Sequence, residues 1–236
     1  MKGRKWMFSI LIFLTLVLPA IATTTLSAPP EEEVNLRVII DYVNDVNNGQ
    51  KDPIVKAATG DCWATFSIWP AANLPMNYYI YPKNSEGFTT TYVVNTLKTG
   101  AETWDAACSY NLFGDNPTTL TKASIGKYDG KNVIGFGTLR SGIIAATYLW
   151  GTSTALVEWD MKFNSGLKWG DAASDPTCFD FLGIACHEFG HTFGMDDIYD
   201  DTYSDVTMFG YGAPGETFQR TLADHDIAGV DYLYGP

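Results

Sequence analysis

The sequence predicts an α/β (α+β) fold: a twisted sheet, a buried helix laid across it, and a second helix at the C-terminus. Three observations carry this. Residues 91–107 place Val94, Leu97, Ala101, Trp104 and Cys108 at three- and four-residue intervals, the spacing of an amphipathic helix. Stretches rich in β-branched and aromatic residues follow at 132–139, 143–150 and 155–163 and read as strands. Then Phe181, Leu182, Ile184, Ala185, Phe189 and Phe193 make a helix apolar nearly all round, as a buried helix must be.

From the start of the chain, Lys2, Arg4 and Lys5 precede an apolar run from Trp6 to Leu18, and Ala20-Ile21-Ala22 follows. That is the order of a secretory signal, which we read as residues 1–22. The run is shorter than the ~20 residues of a membrane helix, and an uncleaved anchor is the alternative. The expectation is a secreted, extracellular protein with no stable membrane association after signal cleavage. Without residues 1–22, 12 basic residues face 27 acidic ones, a net charge near −15. Such a surface disfavours nucleic acid and anionic membranes as partners and keeps a secreted protein soluble. With 46% hydrophobic residues the chain can bury a substantial core, and one monomeric domain is the default expectation.

Residues 23–60 read as a linker and a short helix. Pro29-Pro30 and Glu31-Glu32-Glu33 mark the acidic linker. Leu36, Ile39, Ile40 and Val43 then recur at helical spacing, up to the stop at Asn47-Asn48-Gly49. This helix is either a removable prosegment or a brace on the domain at 61–236. Asn77 to Tyr81 reads as a strand stopped by Pro82, and Asn84 to Gly87 as a turn before the 91–107 helix. Four cysteines in an exported chain predict two disulfides, with Cys62–Cys108 and Cys178–Cys186 preferred. The second pair requires Cys178 on a loop folded back outside the helix, because eight helical residues span ~12 Å and a disulfide needs Cα atoms ~4.4–6.8 Å apart.

The chemistry is concentrated in His187-Glu188-x-x-His191, followed by Gly194 and Asp197. Residues four apart share a helix face, so His187 and His191, two of only three histidines, can offer imidazoles to one metal ion. Glu188 lies beside the first of them, where a carboxylate can act on a water at the metal. That is the arrangement of a zinc hydrolase. A catalytic zinc site takes three protein ligands and leaves a place for water. Gly194 suits a left-handed turn at the helix end, which would return Asp197 as the third ligand. Three rivals exist. Asp196 would point elsewhere after a turn, His225 falls in the closing helical stretch, where it caps or packs, and Glu216 suits a ligand set with no need of Gly194. The carboxylates of Asp196, Asp197, Asp200, Asp201 and Asp205 also raise a calcium site, though their spacing is not that of an EF-hand loop and acidic loops are commonly just solvated.

His-Glu-x-x-His-x-x-Gly-x-x-Asp resembles the metzincin zinc signature, with Asp197 where most members have a third histidine. Val206 to Gly212 is similar to the metzincin methionine turn around Met208. Leu222 to Gly235 resembles the closing helix of matrixins, as do Ala101 to Trp104 and Val157 to Asn164 their first helix and a strand. The resemblance runs from about Asn77 to Gly235. It implies a zincin (metzincin) fold with a mostly parallel sheet, an active-site helix and a C-terminal helix, and makes 61–236 a catalytic domain. It further implies zinc on His187, His191 and Asp197, with Glu188 as general base and then acid. A polypeptide substrate would add as a strand at the sheet's edge, for which residues 155–163 are the candidate, beside a pocket wall at Phe209 to Phe218. Tyr211, near the methionine turn, is read as packing. The matrixin propeptide motif is absent around Cys62, and a zinc cap by Cys62 is the alternative to its disulfide.

The function expected is therefore a secreted zinc-dependent endopeptidase. Two other classes stay in view. One is a zinc hydrolase of another kind, an exopeptidase or cell-wall amidase. An exopeptidase would need a charged group for a free terminus, for which Arg140 and Arg220 are the candidates. The other is a non-catalytic secreted binding module, which would have no need of Glu188.

Overall fold

The computed structural model describes residues 33–43, 63–152 and 154–236. The expected signal at 1–22, most of the linker and Cys62 lie outside them. In chain order the elements are β1 (Asn35–Val43), β2 (Tyr78–Tyr81), α1 (Thr90–Asp105), β3 (Thr118–Thr119), β4 (Asn132–Gly137), β5 (Ile143–Gly151), β6 (Leu156–Asn164), β7 (Trp169–Gly170), β8 (Phe179–Asp180), α2 (Phe181–Phe193), β9 (Tyr211–Gly212) and α3 (Asp224–Tyr234). Seven strands form one sheet in the order β3-β2-β4-β6-β5-β1-β9. Four of its six pairings are parallel, and only β1–β5 and β5–β6 are antiparallel. The mostly parallel sheet and C-terminal helix are those the family resemblance implies. Among the described residues no helix is long and apolar enough to cross a membrane.

The core lies between this sheet and the two long helices. Thr89 caps α1 by accepting the Tyr92 amide, and the helix buries Val93, Leu97, Ala101 and Trp104. α2 is buried at every position but Leu182. Its Phe189 packs edge-on to Trp159 of β6, with ring centres 6.1 Å apart, and Phe181 meets Phe163 at 5.1 Å and Phe136 at 5.2 Å. Trp104 joins the helices, its ring 5.0 Å from Phe193 and its indole N–H donating to the Cys186 carbonyl at 2.8 Å. Asp180 caps α2 on the Gly183 amide and also accepts from Ala172. Arg220 closes on that carboxylate through Nε and Nη2 and reaches Asp171 as well, so its charge is spent within the fold.

Three expectations are corrected. Residues 36–43 are strand, not helix: the run Val38, Ile39, Ile40, Tyr42 and Val43 is β-branched or aromatic at every position but Asp41, and that propensity outweighs a pattern that fits both periods. The sheet edge is not at 155–163, because β6 is hydrogen-bonded to β4 on one side and β5 on the other. β5 receives β1 instead. The disulfide Cys178–Cys186 does not form. Both thiols are free, as is Cys108. Cys186 lies inside α2 with Thr103 Oγ1 and the Arg220 carbonyl each 3.8 Å from its sulfur, whereas the Cys178 thiol donates to the Asp175 carbonyl at 3.1 Å. The expected Cys62–Cys108 pair involves a residue outside those described.

Trp104→Ala removes both an aromatic contact between the helices and a buried donor. It is expected to lower stability by about 3–5 kcal/mol, measured by urea unfolding.

Candidate metal centre

α2 carries His187, Glu188 and His191 into a fully buried site. The helix then ends at Gly194, whose φ of 127° and close approach to the Ser67 carbonyl admit no side chain. The chain reverses there and brings Asp197 back against the two imidazoles. His187 Nε2 and His191 Nε2 are 3.0 Å apart, and Asp197 Oδ1 is 3.2 Å from the first and 3.4 Å from the second. A tetrahedral ion with ligands at about 2.0–2.1 Å sets its donors about 3.3–3.4 Å apart. The three atoms fit one zinc ion.

Their protonation fits it too. His187 Nδ1 donates to the Thr207 carbonyl at 2.8 Å and His191 Nδ1 to the Met195 carbonyl at 2.9 Å. Carbonyls only accept, so each neutral ring carries its proton on Nδ1 and turns an Nε2 lone pair toward the other. Asp197 Oδ1 adds a third electron-rich atom, buried without a hydrogen-bond donor. Its other oxygen is fixed by the Tyr199 hydroxyl at 2.8 Å. Burial raises the pKa of that hydroxyl, and the Asp197 charge raises it further, so it stays a donor.

The electrostatics describe a site short of positive charge. Burial works against a protonated His187, yet the hydrogen bond to Asp197 and the charges of Asp41, Asp197 and Glu188 carry its pKa up to about 10. Burial would raise Asp197, but His191 and His187 hold it below the usual carboxylate range. Glu188 is raised by burial, against the pull of both imidazoles and Thr147. Its Oε2 accepts the Thr147 hydroxyl from β5 in a short bond, and its Oε1 has no partner.

The rivals for third ligand go elsewhere. Asp196 pairs with Arg37 at 2.6 Å, and the His225 ring lies 5.0 Å from that of Tyr203. Glu216 accepts the Ala213 amide. The acidic loop does not converge: Asp200 caps the turn at Thr202, and among the described residues only two groups reach metal-ligand distances. One is His187, His191 and Asp197; the other is Asp41, His187 and Glu188. Met208 is buried against Gly190, where a Cβ would overlap its sulfur. Tyr211 packs on Tyr199 and Phe209.

Sequence reasoning missed four residues of this site. Thr147, Tyr199 and Asp41 are far in sequence from the motif or carry no signature. Asp226 of α3 accepts the Thr207 and Met208 amides at 2.8 and 3.1 Å, and so holds the turn whose carbonyl fixes His187.

A peptidase family described as matrixin matches residues 69–235, well over half of the chain. No curated protein matches it.

Tyr199→Phe removes only the donor that orients Asp197. Zinc affinity is expected to weaken by about 10–100-fold, read by chelator competition; an unchanged affinity would show that the hydroxyl has no part in the site.

Proposed function

The chain belongs to the matrixin family of zinc-dependent peptidases, and on that premise we propose that it is a secreted endopeptidase with zinc on His187, His191 and Asp197 and Glu188 as general base. The observation that carries this is the Glu188 carboxylate. One oxygen is pinned by Thr147, the other is buried and unpartnered, and the carboxylate brings an oxygen within 4.8 Å of a ring nitrogen of His187. A zinc ion bound there would polarise the scissile carbonyl and bring the pKa of a water toward ~7. Glu188, through its free Oε1, would accept a water proton and hand it to the leaving amine. Thr147 keeps the carboxylate from swinging away, and the Nδ1 bonds to Thr207 and Met195 hold both imidazoles in one tautomer and orientation.

The alternatives gain less support. Arg220, one of the two cations considered for a free terminus, is bound by Asp171 and Asp180. A binding module would derive nothing from a buried carboxylate left half-satisfied, which costs stability. The hydrophobic run and Ala20-Ile21-Ala22 support export.

Zinc-loaded Glu188→Ala should retain its metal yet cut an unfolded protein about 10²–10⁴-fold more slowly than the parent, with internal cuts mapped by mass spectrometry. Cuts confined to chain ends would instead support an exopeptidase. N-terminal sequencing of the exported chain should begin after Ala22; retention of residues 1–22 would overturn the signal assignment.

A further inference from the structure

We propose that the outer face of the sheet, across β1 and β5, is a binding trough for a medium-chain fatty acid, with Arg140 holding its carboxylate. The site is independent of the metal centre, from which the sheet separates it.

Side chains alternate across a strand. In β1, Ile39 and Asp41 are buried on the side of His187, so Val38, Ile40 and Tyr42 lie on the opposite face. They stand across from Tyr148, Ala146 and Ile143 of β5. Further over on that face, β6 places Asp160 opposite Tyr148 and Glu158 opposite Trp150. These two carboxylates accept the amides of Gly126, Lys127, Asp129 and Gly130, which lays the 126–130 loop over that half of the sheet. The cover reaches the Tyr148 ring, against which Gly126 packs. The β1–β5 half stays open: Val38 is 40% exposed and Tyr42 38%. A contiguous apolar strip left open in this way marks a binding surface.

The opening is a groove of about 630 Å³, the size of a small-molecule site. Its lining is sorted by polarity. Apolar side chains of β1 and β5 run along it for about 13 Å, four strand rises from Val38 to Tyr42, and the small Ala146 gives it depth. Its polar groups come from one turn, between β4 and β5: Thr138, Arg140 and Ser141. Arg37, Lys168 and Arg220 are tied to carboxylates, whereas Arg140 has no ion-pair partner among the described residues. Lys162, opposite Ala146 on β6, adds a second positive charge 4.9 Å from the centre of the Tyr148 ring, and no residue lining the groove is acidic. In a chain of net charge −12 this is a local site for an anion. The molecule that matches both parts has an apolar tail, which gains with every methylene buried. It also has a carboxylate, which a guanidinium can meet with two parallel hydrogen bonds. A neutral or cationic amphiphile lacks the second feature, and a small polar anion lacks the first.

The test is calorimetric titration of the exported chain with decanoate, beside decanol and decyltrimethylammonium. One decanoate should bind per chain, at least about tenfold more tightly than either control. Arg140→Gln should weaken that binding at least about tenfold. Val38→Glu, a change at an exposed position, should weaken it as much while leaving the unfolding midpoint unaltered. Removing zinc with a chelator should leave the affinity unchanged. The proposal would be overturned by the absence of saturable binding, by decanol binding as tightly as decanoate, or by an affinity unaltered in both variants. Affinity lost on chelation would place the carboxylate at the metal centre and overturn it too. A dimer in sedimentation that Val38→Glu dissociates, with no decanoate bound, would assign the face to a second copy of the chain instead.

Discussion

Two imidazole nitrogens 3.0 Å apart, facing a carboxylate oxygen in a site closed to solvent, repel one another unless a metal ion or a proton lies between them. The fold makes this arrangement unavoidable. Each ring is held by a backbone carbonyl on its far nitrogen, and neither carbonyl can act as a donor. Rotating a ring away would leave an unsatisfied N–H in the interior, at a cost of about 1–3 kcal/mol. The metal-binding geometry is therefore built from the outside inward: backbone carbonyls fix protons, protons fix lone pairs, and lone pairs fix the place of the ion.

The carbonyls are themselves placed by distant parts of the chain. Thr207 belongs to a turn whose amides are gathered by Asp226, a buried carboxylate that also accepts the Ala223 amide at the head of α3. Met195 follows Gly194, where the tight contact with Ser67 ties the helix end to an earlier segment, and the Phe66 amide donates to the Gly194 carbonyl. On its other side α2 rests on Trp104 and the aromatic face of β6. Little in this frame can relax. A site whose ligands must hold to within a few tenths of an ångström belongs on such elements rather than on free loops.

How much of this was legible follows from sequence distance. His187, Glu188, His191 and Asp197 lie within eleven residues, and helical spacing with one glycine turn suffices to gather them. The long helices and the strands β4, β5 and β6 announce themselves by period and propensity. The order of strands does not, because β6 pairs with a neighbour in sequence on one side and with β4 on the other. Nothing local distinguishes that from an edge. Thr147 and Asp226 carry no motif; their roles arise only when β5 and α3 are folded against α2. β1 was misread for a different reason. Leu36, Ile39, Ile40 and Val43 fit a helix, but Ile39, Asp41 and Val43 equally fit one face of a strand, and a polar residue on the buried face of such a strand is itself a signal.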